Sequence, residues 1–207
     1  MKKVIMEPEP NPLTAICQAI DPYQPTDVAH LLHQPTGRHF HIRTLDAAHD
    51  LDKLIDWLGP DSPPIRQRPG SDYLDSYLMV AQQPDMQAFM VLVDQEPALQ
   101  LDVRQEPLLF QHISNRTDNH LLTLNLSPLV TMDVINDALQ AAVYALFRIQ
   151  AVDTLFLELD GNQAFLGGWV REAGFSLIAV NEETVIPVRY YQFPQLPGFL
   201  RLRQLFA

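Results

Sequence analysis

His120 opens the run HLLTLNL, His120–Leu126, which has the length and composition of a strand. A histidine at a strand start can be partly desolvated and still reach a cleft, and its ordinary pKa near neutrality suits it to take a proton from an amine or hydroxylamine. A surface or capping histidine at a strand edge would leave the same pattern. Asn162 follows the turn signal Asp160-Gly161 and stands where a helix N-cap belongs, its side-chain oxygen set to accept an orphan backbone N–H. Cys17 is the one cysteine and lies among Leu13, Ile16 and Ile20, so no internal disulfide or multi-cysteine metal site exists, and a buried thiol is expected rather than a nucleophile. His39 and His41 would share a strand face and His30 and His33 a helical face. Neither pair has an obvious third ligand, so no metal is expected. The sequence has no G-x-S-x-G, and its serines fall in loops, which removes a nucleophilic triad.

These residues are positioned by a regular alternation of elements. Residues 1–37 form a proline-rich extension with apolar patches at Leu13–Ile20 and Val28–Leu32, both compatible with short helices that Pro12, Pro25 and Thr26 would start. Arg38–Leu45 alternates polar and apolar residues and predicts a half-buried strand. Leu51, Leu54, Ile55 and Leu58 share a helical face that Gly59-Pro60 ends. Asp61–Gly70 is a proline-rich loop whose Arg66 and Arg68 are either solvated or in contact with an acidic substrate or partner, and Tyr73–Gln82 reads as helix. Ala88–Val93 and Ala98–Val103 flank Asp94-Gln95-Glu96-Pro97 as a hairpin. Residues 104–119 are irregular, and after His120–Leu126 the longest helix carries Val134, Ile135, Ala138, Leu139, Ala142, Leu146 and Phe147 on one stripe. Leu155–Leu159 is a strand, Phe165, Leu166, Trp169 and Val170 a helix, and Ala173-Gly174-Phe175 its glycine stop before a further strand. Thr184–Phe193 supplies a last strand, and the amphipathic tail FLRLRQLFA could close the core or dock a second subunit as a homodimer. An α/β (α+β) fold follows, a mixed central sheet with helices on both faces, built as one domain over residues 38–207.

Composition narrows the partners. The 47% hydrophobic content supports a sizeable core, and the net charge of −11 argues against nonspecific nucleic-acid binding, which needs clustered cations. No apolar run approaches the roughly 20 residues that span a bilayer. The start, MKKVIMEPEP, lacks an apolar signal core, and a cytoplasmic protein is expected.

The order of elements, together with Asn162 and Gly174-Phe175, resembles the GNAT superfamily of acyl-CoA N-acyltransferases over roughly residues 38–193. Within it the chain is most similar to acyltransferases of hydroxamate-siderophore biosynthesis. Phe40-His41-Ile42-Arg43-Thr44-Leu45 with Asp50-Leu51-Asp52 and Trp57 looks like that group's F-x-I-R-x-L, D-L and W opening. Asp94-Gln95-Glu96-Pro97 looks like its D-G-x-P hairpin, and Asp118-Asn119-His120-Leu121-Leu122 like a shortened D-x-G-x-H-x-L. The resemblance implies His120 as catalytic base and Asp102 as an acid that orients the base or holds the substrate amine. It implies an acyl-CoA co-substrate contacted at Leu126, Thr131, Met132, Asp133 and Asn162, with no metal.

One departure stands out. The family holds the coenzyme A pyrophosphate with a Q/R-x-x-G-x-G/A loop, whose glycines let successive N–H groups approach the anion. Here Ser127-Pro128-Leu129-Val130-Thr131-Met132-Asp133-Val134 has neither glycine nor basic residue. A phosphate about 4 Å from Asp133 would be repelled by on the order of 4 kcal/mol at an effective dielectric of 20. Two functions therefore stay open: an N-acyltransferase for a small amine or hydroxylamine, or an inactive binding or assembly module of the same fold. An open V between His120–Leu126 and Leu155–Leu159 favours the first; a V filled by Leu129, Val130 or Met132 favours the second.

Overall fold

The computed structural model describes residues 25–58, 86–105, 119–148, 154–159, 161–182, 187–193 and 195–207. The expectations for Leu13–Ile20 and Cys17, for Asp61–Gly70 with Arg66 and Arg68, and for Tyr73–Gln82 lie outside them. In chain order come β1 (Asp27–Leu32), β2 (His39–Thr44), α1 (Ala47–Leu58), β3 (Met86–Val93), β4 (Glu96–Gln105), β5 (Asn119–Leu126), α2 (Met132–Arg148) and β6 (Thr154–Leu159). A 3₁₀ segment, Gly161–Leu166, then runs into α3 (Gly167–Glu172), β7 (Ser176–Asn181), β8 (Val188–Phe193) and α4 (Gln195–Arg203). Among the described residues the strands form one eight-stranded sheet in the order β1-β2-β3-β4-β5-β6-β8-β7. Every neighbouring pair is antiparallel except β5 and β6, which are parallel because α2 carries the chain back across one face between them.

The period-two pattern decides which side chains meet which helix. Phe89 and Val91 of β3, Leu99 and Leu101 of β4, Leu122 and Leu124 of β5 and Leu155 and Leu157 of β6 face α2, α3 and α4 in the main core. Ala88 and Met90 point the other way and pack with Leu45 and Leu54, so α1 covers the opposite face. α2 lies close to the sheet because Ala138, Ala141, Ala142 and Ala145 on its buried side carry nothing beyond Cβ. Tyr144 of α2 stacks on Phe199 of α4 at 5.4 Å, and Phe147 meets Phe193 at 5.6 Å. Gly198 permits that closeness, since a Cβ there would stand 2.3 Å from Phe193 Cε1.

The two turns that the sequence marks form as expected. Asp94 and Gln95 both take positive φ, 48° and 76°, which matches the right-handed twist of a two-residue hairpin. Gly174 takes φ 112°; its N–H donates to Arg171 C=O at 3.0 Å and that of Phe175 to Val170 C=O at 3.1 Å, a Schellman closure that buries Phe175.

Two expectations are corrected, and the C-terminal tail takes the first of the two roles open to it. Val28–Leu32 is not helical: it belongs to β1, whose residues pair antiparallel with β2, so the sheet begins inside the segment read as an extension. Asn162 lies in the 3₁₀ segment, and the α-helix starts only at Gly167 with Leu166 at its N-cap and no side-chain cap bond; the Asn162 side chain is outside the described residues. The C-terminal tail closes the core. Leu202 and Phe206 are buried, and Ala207 and Leu32 exchange backbone hydrogen bonds of 3.0 Å each way. Among the described residues no helix is long and apolar enough to cross a membrane.

Candidate functional site

The sheet parts at one place. β5 and β6 are in register at Asn119↔Thr154, His120↔Leu155, Leu121↔Phe156 and Leu122↔Leu157, and the pairing stops there. β5 nevertheless continues on its other side, bonded to β4 as far as Leu126↔Leu99, and β6 continues along β8 to Leu159↔Arg189. The two strands are thus held apart by their outer neighbours, leaving a V whose mouth meets the start of α2. Ser127 donates its N–H to Ala98 C=O at 3.0 Å, so residues of its parity, Thr123 and Asn125, direct their backbone groups to β4. Leu124 and Leu126 direct theirs into the V.

One group in the V is already matched. Gln163, from the 3₁₀ segment after β6, donates its side-chain amide to Leu124 C=O at 2.9 Å. A primary amide thus occupies the hydrogen-bonding position that a ladder partner on β6 would otherwise fill. Of the side chains named as potential plugs, Leu129 is 88% exposed and so fills no slot, while Val130 and Met132 are half-buried against the main core.

At the mouth, electrostatics differ from the sequence expectation. Arg38, from the β1–β2 connection, reaches Asp133 Oδ2 with Nη2 and Asp137 Oδ2 with Nη1, each at 2.5 Å. The Thr131 hydroxyl donates to the other Asp133 oxygen. Those two partners, Thr131 first and then Arg38, pull the Asp133 carboxyl down to about 2. The uncompensated Asp133 expected from the sequence is therefore corrected: its charge is shared with a guanidinium 95 residues away in sequence. The loop itself is tied down by Leu129 N–H on Ser127 Oγ at 3.2 Å and Ile135 N–H on Thr131 C=O at 3.1 Å. The first-turn N–H groups of α2 have no carbonyl four residues earlier in the helix and remain the anion-facing donors here.

On the α1 face, beside the V, runs a chain of polar side chains. Asn125 donates to Gln100 Oε1, and Gln100 donates to Asp102 Oδ1 at 2.6 Å. Gln100 is fully buried, whereas Asp102 and Asn125 are half-buried. Asp102 pairs with Thr123, one residue beyond the last β5–β6 couple, so its carboxylate stands next to the opening of the sheet.

His120 is elsewhere. It is 1% exposed, precedes the opening, and by alternation shares the face of Leu122 and Leu124 in the main core. Asp102 shares the face of Thr123 and Asn125. The two expected catalytic residues lie on opposite faces of the sheet, and the expectation that Asp102 orients His120 is corrected on that ground; a base must come within hydrogen-bond reach of the proton it takes. Of the residues expected at the cofactor, Leu126, Thr131, Met132 and Asp133 do gather at the mouth of the V. Gln163, Arg38 and the Gln100–Asn125 pair were not visible beforehand. Nothing in their local spacing distinguishes them, because their partners come from distant strands.

The V offers freed backbone groups of β5, while the segment before α2 carries Pro128, which has no N–H to donate. No family model matches the chain, and no curated protein matches it in sequence. Solved structures do match in shape. An uncharacterized protein from Bacillus halodurans superposes with a TM-score of 0.70 at 13% identity, covering 89% of this chain and 96% of that one. A ribosomal L7/L12 alpha-N-protein acetyltransferase gives 0.61 at 10% identity over 84% of this chain and 96% of its own. An aminoglycoside acetyltransferase in complex with coenzyme A gives 0.62 at 16% identity over 79% of this chain and 99% of its own. The chain therefore has the mixed α/β architecture of the GNAT acetyltransferase fold, with a central mixed sheet and helices on both faces.

Proposed function

We propose that the protein transfers an acyl group from acyl-CoA to a small amine or hydroxylamine. The observation that carries this is the V between β5 and β6, in which Leu124 C=O already accepts an amide N–H from Gln163 at 2.9 Å. The arm of acyl-CoA is a linear chain bearing amides, and an amide aligned along β5 would meet the same carbonyl. Acyl-CoA supplies a thioester, a carbonyl activated toward amines. The chain supplies Leu126 N–H within the V as a donor for developing negative charge, the α2 start for the phosphates, and Asp102 for the acceptor. A half-buried carboxylate steadied by Gln100 attracts an ammonium group and can take its proton. Support from shape comes from the aminoglycoside acetyltransferase that holds coenzyme A. The hydroxylamine alternative for the acceptor rests on the sequence resemblance alone.

Calorimetry and thermal shift with acetyl-CoA and longer acyl-CoAs, followed by an amine panel, test the proposal. Saturable binding followed by thiol release with an amine is expected. Asp102→Asn should lower kcat/KM for the amine by about 10²-fold or more, in keeping with the usual 10²–10⁴ of acid–base catalysis, and leave acyl-CoA affinity unchanged. Absence of heat and of any shift with every acyl-CoA would refute it. That outcome favours the second reading, a non-catalytic binding module, which the loss of the glycine loop and the burial of His120 support.

A further inference from the structure

We propose that Asp27, His30 and His41 form a site for a divalent late first-row transition ion, Zn²⁺ being the probe. The site stands at the β1 edge of the sheet, away from the V between β5 and β6, and plays no part in the function proposed above.

Its construction depends on an irregularity. In a regular strand, residues three apart point to opposite faces, so Asp27 and His30 would diverge. The pairing of β1 with β2 shifts between Asp27↔Arg43 and Ala29↔Ile42, a bulge that inserts one residue and brings Asp27 to the face of His30. His30 is directly opposite His41 across the strands, and their rings stack at 4.3 Å with 10° between planes. Asp27 thereby meets both: Oδ1 is 2.6 Å from His41 Nε2 and Oδ2 is 3.7 Å from His30 Nε2.

One ligand atom from each of the three residues lies within 4.8 Å of the other two. Ligands about 2.1 Å from a tetrahedral ion stand about 3.4 Å apart, so the His30 contact must close and the His41 contact open, each by under about 1.5 Å. The His30 side chain is 69% exposed and would have to turn from its stack on His41 to ligate, while His41, at 30%, is the more enclosed ligand. Two imidazoles and one carboxylate suit Zn²⁺, Co²⁺, Ni²⁺ or Cu²⁺ rather than Mg²⁺ or Ca²⁺, which favour all-oxygen sets. Three protein ligands leave further positions to water or to a small chelating ligand. His30 and His41 also line a groove of about 910 Å³ with His39, Arg43 and Leu92. Because Asp27 and His30 are on the edge strand and His41 on its neighbour, the ion would also clip β1 to the sheet. Sequence reading missed the set, since it paired His30 with His33 on a helix that is in fact β1.

The test is calorimetric titration of chelator-treated, untagged full-length protein with Zn²⁺ at pH 7.5, with Co²⁺ absorption as a check on geometry. One ion per chain and a rise in Tm with Zn²⁺ are expected. His30→Gln and His41→Gln should each weaken binding about tenfold or more, since even outer-shell changes cost 10- to 100-fold. His39→Gln, in the same groove but outside the set, should change it less than about twofold. His30→Gln removes an exposed side chain and keeps the fold testable if His41→Gln unfolds. No Zn²⁺ binding, binding that survives His30→Gln, or binding lost equally with His39→Gln overturns the assignment.

Discussion

Gln163 offers the most direct check on where a ligand lies. Its amide donates to Leu124 C=O at 2.9 Å inside the V. If the arm of acyl-CoA uses that carbonyl, Gln163 must leave before the arm enters, and the ligand's net affinity is reduced by the bond it displaces. A typical amide–carbonyl hydrogen bond contributes about 0.5–1.5 kcal/mol net. Removing the side chain with Gln163→Ala should therefore tighten acetyl-CoA binding by about 2- to 13-fold. The same substitution should lower folding stability by a similar amount, because the free protein loses the bond. Two measurements of one interaction then move in opposite senses: affinity by calorimetry rises while the midpoint of urea unfolding falls. A variant that loses stability without gaining affinity would refute the placement of the arm, since the bond would be real and the ligand indifferent to it.

Asp50→Asn should be among the more damaging changes at a residue remote from the V. The fully buried Asp50 carboxylate accepts from Arg43 Nη1 at 2.6 Å and Nη2 at 2.7 Å, and from Asp46 N–H at 2.9 Å. An asparagine turns an NH₂ toward donors and strands the guanidinium, at a cost of roughly 3–5 kcal/mol and about 10 °C in Tm for a chain of this size; a loss below about 1 kcal/mol would contradict it. His33 should impose a pH dependence. Burial is the largest influence on it and lowers its pKa, opposing the Asp137 carboxylate nearby. With the folded pKa below the ordinary 6.5, the unfolded chain binds more protons between the two values, so stability is complete above about pH 7 and falls as the pH drops through that window. His33→Gln should flatten unfolding free energy between about pH 7 and pH 5; an unchanged slope would show that His33 does not carry it.

The regular elements were legible because their periods are strong. HFHIRT alternates, α2 keeps one apolar stripe for 17 residues, and Gly174 marks the end of α3. β1 was misread for a physical reason: Val28, Ala29, Leu31 and Leu32 satisfy helical spacing, and a bulge breaks the alternation that would have revealed the strand. Only the partner strand decides between the two. Asn162 failed as a helix cap because the turn after β6 continues as 3₁₀ to Leu166 before the α-helix begins. The candidate site was legible in outline, since the order of strands places Leu126 beside Thr131 and Asp133. Its working contacts were not. Gln163 bonds a carbonyl 39 residues away, and Arg38 spans 95 residues to Asp133.

Arg38 changes how the missing glycine loop bears on coenzyme A. With Asp133 unopposed, a phosphate near the start of α2 would face full repulsion. With Arg38 bound to Asp133 and Asp137, one cation stands against two carboxylates, and the helix end adds roughly half a positive charge. The local sum stays slightly negative, and 65% exposure of the Asp133 side chain screens its share further. The mouth is thus neither the attractive cradle of a phosphate loop nor the barrier that the bare sequence implied. Under the proposed function, affinity for acyl-CoA comes chiefly from the V, where backbone groups of Leu124 and Leu126 are oriented whatever the charges at its mouth. That division separates the two ends of the opening: strand geometry is fixed by β4 and β8 on either side, whereas the loop before α2 is held only locally, by Leu129 N–H on Ser127 Oγ and by Val130 against the core.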